Sequence, residues 1–176
     1  MDPEVKRSQA AKQPNPSAAM LKLETQQLNG AHWFFWIAGL SLVNSAIIHA
    51  GGEWSFIIGL GITQFVDAIA SAVAMDAGAG PARAAQAVAI VADLVVAGLF
   101  VAFGILARKR HSWAFVVGML LYGLDGLLFL LVRDWLSIGF HVFALVSLAA
   151  GLSAARQLGA LDAPRAPAAG YEPITP

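Results

Sequence analysis

Five long apolar runs dominate the chain and limit what it can fold into. Each is long enough to cross a hydrocarbon layer about 30 Å thick, which takes roughly 20 helical residues at about 1.5 Å each. Inside lipid only helices and closed barrels satisfy their backbone polar groups, and these runs lack the period-two alternation of barrel strands. The runs cover residues 31–51, 54–75, 84–107, 113–132 and 135–155. We therefore predict an all-α integral membrane protein, with an up-and-down bundle of five transmembrane helices over residues 31–156.

The composition agrees with this class of protein. Hydrophobic residues make up 58% of the chain and charged residues 12%, which is about half the share of charged residues in a soluble domain. Tryptophan prefers the level of the lipid headgroups, and every tryptophan lies near the beginning of a predicted helix. These residues are Trp33, Trp36, Trp54, Trp113 and Trp135.

The segments on either side of the bundle differ from it in composition. Residues 1–16 are polar and contain prolines, so they are predicted to be disordered and lack the apolar region of a cleavable signal peptide. Residues 17–30 begin with a serine suited to N-capping and end at Gly30, which predicts a short amphipathic helix at the membrane surface. Residues 157–176 are rich in proline and alanine and are predicted to form a flexible tail.

Charge and cysteine content exclude several classes of function. The net charge is zero and the chain has no cysteine, which excludes disulfides, thiol redox chemistry and cysteine-ligated metal centres. The basic run Arg108, Lys109 and Arg110 is interpreted as a topology signal or a contact for anionic lipid. The predicted partner is therefore the lipid bilayer, a homo-oligomer stays open, and nucleic acid is not expected.

Basic residues divide almost equally between the two faces of a five-helix bundle. The N-terminal face would carry Lys12, Lys22, Arg83 and Arg133, and the other face would carry Arg108, Lys109, Arg110, Arg156 and Arg165. We predict a protein of a bacterial inner membrane, and this small difference favours a cytoplasmic C-terminus.

Three aspartates interrupt the apolar runs. An aspartate at mid-helix raises the free energy of membrane insertion by about 2.5–3.5 kcal/mol, whereas each large apolar residue lowers it by only about 0.3–0.6 kcal/mol. Depths counted along alternating helices place four polar side chains roughly 9–14 Å below the N-terminal face. The predicted buried polar layer consists of Asp67, Asp93, Asp125 and His141.

Other polar residues are expected to support this layer. Helical spacing turns one polar or small stripe of each helix inward, where such residues find partners. The supporting residues are Asn44, Gln64, Gln86 and Tyr122. By contrast, His49 and Glu53 are interpreted as a separate interfacial hydrogen bond at the opposite face.

Several functions are compatible with the predicted layer. Protonated aspartates could hold helices together in a non-catalytic structural or assembly subunit. The same residues are the usual material of a proton or cation site in a transporter or channel. As metal ligands, Asp67, Asp93, Asp125 and His141 could instead activate water in an intramembrane hydrolase, or two of the aspartates could share a proton as in aspartic proteases. No local motif supports an enzyme, so no catalytic residue and no cofactor is assigned.

Overall fold

The computed structural model describes residues 16–50, 60–76 and 79–163, and these residues form five α-helices. Four of the helices are long and apolar enough to cross a membrane, and α2 is a shorter apolar helix. The helices are α1 (Pro16–His49), α2 (Gly61–Asp76), α3 (Ala79–Arg108), α4 (Ser112–Leu131) and α5 (Trp135–Asp162). The all-helical class with several membrane-spanning helices is confirmed, whereas the fifth spanning helix is not.

The helix α1 is continuous from Pro16 to His49, so the helix end predicted at Gly30 is wrong. A Cβ atom on Gly30 would lie 2.5 Å from the Cα atom of Gly151, which shows that this glycine allows α1 and α5 to approach closely. Gln27 is 2% exposed, and its side-chain amide donates a hydrogen bond to the carbonyl oxygen of Ala107. Residues 17–30 are therefore the first turns of a packed helix and not a separate surface helix.

The predicted bounds of the last three helices need only small changes at most ends. The exceptions are α3, which begins at Ala79, and α5, which continues to Asp162, five residues beyond the start of the predicted tail at 157. The predicted N-terminal tail, Glu53 and Trp54 lie outside the described residues, as does most of the predicted C-terminal tail.

Polar contacts show that α1 runs antiparallel to α3 and α5. Near the beginning of α1, Glu24 accepts a hydrogen bond at 2.8 Å from Arg110, which lies two residues after the end of α3. The same guanidinium donates to Asp162 at the end of α5, at 3.0 Å. We call this end of the bundle the basic face, because it carries Lys22, Arg108, Lys109, Arg110 and Arg156. The opposite face carries Arg83 and Arg133.

These directions leave α2 without a full crossing. The end of α1 and the beginning of α3 both lie toward the opposite face, so α2 lies between two helix ends on the same side of the bundle. The backbone N–H of Gly61 donates to Asp125, which lies six residues before the end of α4 and so about 9 Å below the opposite face. From this inner start α2 runs parallel to the end of α1, because Thr63 contacts Ser41 and, further along, Asp67 contacts His49. The arrangement therefore differs from the predicted alternation of five spans.

An aromatic cluster fills the centre of the bundle. The ring centroid of Phe34 lies 5.8–6.3 Å from those of Phe100, Phe103 and Phe115, so α1, α3 and α4 meet there. The outer surface is rich in exposed leucine and valine, for example Leu120 and Val146. In a bundle of this composition such a surface faces the lipid chains.

Candidate functional site

All four residues of the predicted polar layer are buried, but they belong to two sites. Asp67, Asp93, Asp125 and His141 are 0%, 2%, 6% and 2% exposed, respectively. Asp125 contacts His141, whereas Asp67 and Asp93 meet at His49. Gly61 contacts Asp125, and Asp67 lies six residues further along α2. The two sites are therefore separated by about 9 Å along this helix. We call them the Asp125–His141 site and the Asp67–Asp93 site.

In the Asp125–His141 site both carboxylate oxygens of Asp125 have partners. The Oδ2 atom accepts the backbone N–H of Gly61 and the Oδ1 atom that of Ile62, each at 2.8 Å. These are the first amides of α2, and the first amides of a helix have no acceptor within their own helix. The partial positive charge of a helix N-terminus also stabilises a negative ligand. Asp125 therefore caps α2 from a neighbouring helix.

The imidazole of His141 is held by two polar contacts and by two aromatic rings. Its Nδ1 atom lies 2.9 Å from the carbonyl oxygen of Ser137, which can only accept, so Nδ1 carries a proton. Its Nε2 atom lies 3.1 Å from Oδ2 of Asp125. The ring stacks on Tyr122 with 4.2 Å between centroids and also contacts Phe129. With Nδ1 directed at Ser137, Nε2 is the nitrogen that faces the Asp125 carboxylate.

The Asp67–Asp93 site has a different character. The side chains of His49, Asp67 and Asp93 each offer one ligand atom, and these atoms lie within 4.8 Å of one another. His49 Nε2 is 3.3 Å from Oδ1 of Asp67, without the alignment of a hydrogen bond. Across the described ranges, none of the four carboxylate oxygens of Asp67 and Asp93 makes a hydrogen bond of regular geometry, although Ser45 and Asp67 both lie within interaction range of Asp93.

Such an arrangement is unfavourable for two bare anions. An unpaired buried charge costs several kcal/mol, and two carboxylates a few ångströms apart repel each other strongly in a low dielectric. Protons on the carboxylates, or a cation between them, would remove this penalty. The Asp67–Asp93 site is therefore suited to binding positive charge.

The structure places His49 differently from its predicted role. The sequence predicts an interfacial pair of His49 with Glu53 on the face opposite the layer, whereas His49 lies beside Asp67 and Asp93. The error comes from α2: counting it as a full span reversed α3, α4 and α5 relative to α1. A signal was present in the sequence, because the run 54–75 carries Thr63, Gln64 and Asp67 and therefore has a weak apolar balance for a spanning helix.

The predicted supporting residues have mixed outcomes. Asn44 and Tyr122 are buried, and the Tyr122 ring stacks on the His141 ring. Gln64 is partly buried in a cavity with Phe129. The inward orientation predicted for Gln86 is wrong, since this residue is exposed near the beginning of α3, where buried positions start only at Ala89.

The metal-ligand set proposed from the sequence is also wrong. Asp125 and His141 are occupied with each other and with α2, about 9 Å along α2 from Asp67. A metal held by all four residues is excluded by this distance. Among the described residues the group with metal-binding geometry is His49, Asp67 and Asp93.

No protein family, curated protein or solved structure matches the chain. The functional assignment therefore depends on the geometry of these two sites.

Proposed function

We propose that the protein is a multi-pass membrane protein that transports a cation or protons, and that the Asp67–Asp93 site is its binding site. The observation that carries this proposal is the set of four buried carboxylate oxygens, which have no hydrogen-bond partner among the described residues. Intramembrane acids that face a bundle interior are typical of ion and proton pathways.

A purely structural role fits this site poorly. Carboxylates that hold helices together are hydrogen-bonded to neighbouring groups, because an unsatisfied buried polar atom costs about 1–3 kcal/mol. Asp125 meets that expectation, since both of its oxygens accept hydrogen bonds. Asp67 and Asp93 do not meet it, so their retention inside the bundle is better explained by a ligand.

The position of the site suits exchange of an ion with the outside of the bundle. His49 lies in the last turn of α1, and its side chain is 21% exposed, whereas Asp67 behind it is fully buried. A cavity of about 380 Å³ between α1 and α3 is lined by Ser45, His49 and Asp93 among other residues. In addition, α2 begins inside the bundle, and broken or partial helices commonly form the ion sites of transporters.

The distribution of basic residues favours one orientation of the bundle in the membrane. Of the seven described lysines and arginines, five lie at the basic face and two, Arg83 and Arg133, lie at the opposite face. Cytoplasmic loops carry the excess of such residues. The proposed orientation in a bacterial inner membrane therefore puts the basic face and the end of α5 in the cytoplasm, and the Asp67–Asp93 site near the outer face.

The lipid contact predicted at the basic run stays a prediction. Arg108 and Lys109 are exposed and free to meet anionic headgroups, whereas Arg110 is engaged with Glu24 and Asp162. A contact with anionic lipid would therefore depend mainly on the first two residues.

Flux through purified protein tests the proposed function. The full chain is reconstituted into vesicles, and gradients of protons, potassium ions and manganese ions are applied one at a time. Wild type should carry at least one of them, and Asp67→Asn, which keeps the side-chain shape but removes the charge, should abolish that flux. Asp162→Asn is the matched control, because Asp162 is an exposed carboxylate paired with Arg110 at the basic face. Equal flux in wild type and Asp67→Asn, or no flux above protein-free vesicles, would rule out the proposal.

A further inference from the structure

The ligand atoms of the Asp67–Asp93 site allow a more specific assignment, which depends on the proposed function. We infer that this site binds a divalent first-row transition metal ion, with His49, Asp67 and Asp93 as its three protein ligands. The metal would thus be the transported cation.

The spacing of the three side chains is close to that of a metal centre. Nitrogen and oxygen ligands lie about 2.0–2.2 Å from such an ion, so two neighbouring ligand atoms are roughly 3.0–3.6 Å apart. The Asp67 and His49 atoms are already 3.3 Å apart, and all three ligand atoms fall within 4.8 Å. Small side-chain rotations of Asp93 would complete the set.

The types of ligand select the class of metal. Two carboxylates supply two negative charges, which neutralise one divalent ion in a poorly solvated place. Calcium and magnesium are bound through oxygen atoms, whereas an imidazole ligand suits zinc, iron, nickel and copper. Mixed carboxylate and imidazole ligation also accommodates manganese and cobalt. The presence of His49 therefore favours this group of metals over alkali and alkaline-earth ions.

The buried atoms around the three side chains point to a ligand independently of their clustering. Asp67 and Asp93 are 0% and 2% exposed, and their oxygens have no partner among the described residues. The Oγ atom of Ser45 likewise makes no hydrogen bond of regular geometry, and Ser45 lies within interaction range of Asp93 and lines the same cavity as Asp93 and His49. A hydroxyl in this position can donate to a ligating carboxylate and orient it.

The three proposed ligands lie in three different helices. His49 is in α1, Asp67 in α2 and Asp93 in α3, so one ion would join three helices. Three protein ligands leave coordination positions open, and a transported ion needs such positions to exchange water during binding and release.

Direct binding measurements separate this inference from the proposed function. Purified full-length protein is treated with a chelator and titrated with Zn²⁺ or Mn²⁺ by calorimetry, with Mg²⁺ and Ca²⁺ as competitors. We expect one transition-metal ion per chain that a large excess of Mg²⁺ does not displace. His49→Gln and Asp93→Asn should each weaken binding by at least about 100-fold, since even losing a group that only orients a ligand costs about 10–100-fold.

Control variants and a spectrum make the result specific. His32→Gln alters an exposed histidine of the same helix and should bind like wild type. Bound Co²⁺ should give visible absorption bands that shift in His49→Gln, which a merely structural role of His49 would not produce. Retained affinity in both His49→Gln and Asp93→Asn, or equal binding of Mg²⁺ and Zn²⁺, would overturn the inference.

The two proposals fail in different ways. Proton or potassium flux that needs Asp67, combined with no transition-metal binding, would overturn the metal site and keep the proposed function. Stoichiometric metal binding that needs His49, combined with no flux of any cation, would overturn transport and leave a metal site without it.

Discussion

The two acidic sites of the bundle contain the same kinds of residue and differ in how their charges are satisfied. Asp125 accepts two backbone amides and contacts an imidazole that is itself held by a carbonyl and two aromatic rings. The oxygens of Asp67 and Asp93 have no such partners within the described segments. A satisfied buried acid fixes a structure, whereas an unsatisfied one leaves room for a ligand. The comparison teaches that burial of an intramembrane acid alone does not identify a functional site.

The largest expected effect is on stability at the Asp125–His141 site. Replacing Asp125 by leucine leaves two amides of α2 and the His141 imidazole without an acceptor, and removing one partner of a buried charged pair costs about 3–5 kcal/mol. We expect the free energy of unfolding in detergent to fall by this amount. A leucine variant as stable as wild type would show that Asp125 is not the structural site described above.

A smaller effect on stability is expected at Asp67, where substitution should not destabilise the protein as it does at Asp125. Since its carboxylate oxygens make no regular hydrogen bond to a described residue and lie beside Asp93, Asp67→Asn in metal-free buffer should leave the free energy of unfolding unchanged or raise it, because it removes a buried charge. With saturating Zn²⁺, wild type should gain thermal stability and Asp67→Asn should gain little. Loss of several kcal/mol in metal-free Asp67→Asn would place Asp67 in the structural class with Asp125.

The packing around His141 gives a third test of the difference between the sites. A Cβ atom on Gly126 would lie 3.0 Å from the His141 ring, so Gly126→Ala should displace the imidazole and cost about 1–2 kcal/mol. Gly139→Ala is the matched control, because a Cβ atom there would have no neighbour within 4 Å. The control should be neutral or stabilised by roughly 0.5–1 kcal/mol, since alanine is the better helix former. Equal stability of the two variants would show that the His141 pocket is loose.

A fourth test concerns a satisfied carboxylate outside the spanning helices. The hydrogen bond from the Ser137 side chain is the main reason that the pKa of Asp134 is lowered, with further hydrogen bonds from the backbone of Ser137 and Leu136. A lowered pKa in the folded state means that the ionised form stabilises α5 above the usual pKa of aspartate, about 3.9. This stabilisation is lost as the pH falls through the lower folded-state value.

Two substitutions at Asp134 separate capping from charge. Asp134→Ala should cost about 0.5–2 kcal/mol at neutral pH, because it removes the N-cap of α5. Asp134→Asn should retain most of the cap and lose the acid dependence. Unfolding measured between pH 3 and pH 7 checks both, and the prediction fails if the asparagine variant keeps the acid dependence of wild type.

Hydropathy predicted the class of protein and the extents of most helices, because the cost of burying polar groups in lipid constrains segment length strongly. It also placed Asp125 and His141 at one depth, and these residues are in contact. It did not show the direction of α2, because the weak apolar balance of residues 54–75 fits both a helix that crosses with the support of its neighbours and a helix that begins inside the bundle. Gly30 illustrates a second limit: a glycine that ends a helix and one that packs against a distant Gly151 have the same local sequence.

The inner end of α2 has a mechanical consequence. Two hydrogen bonds to Asp125 fix Gly61 and Ile62, so any tilt of this helix would pivot about its deep end. For a lever of this kind, a tilt of about 10° would move Asp67 by roughly 1.5 Å and the far end of α2 by roughly 4 Å. A displacement of 1.5 Å exceeds the tolerance of a metal–oxygen bond. The Asp125 anchor would thus be the pivot of such a tilt, and a small rotation about it would move the Asp67 carboxylate toward His49 and Asp93 or away from them.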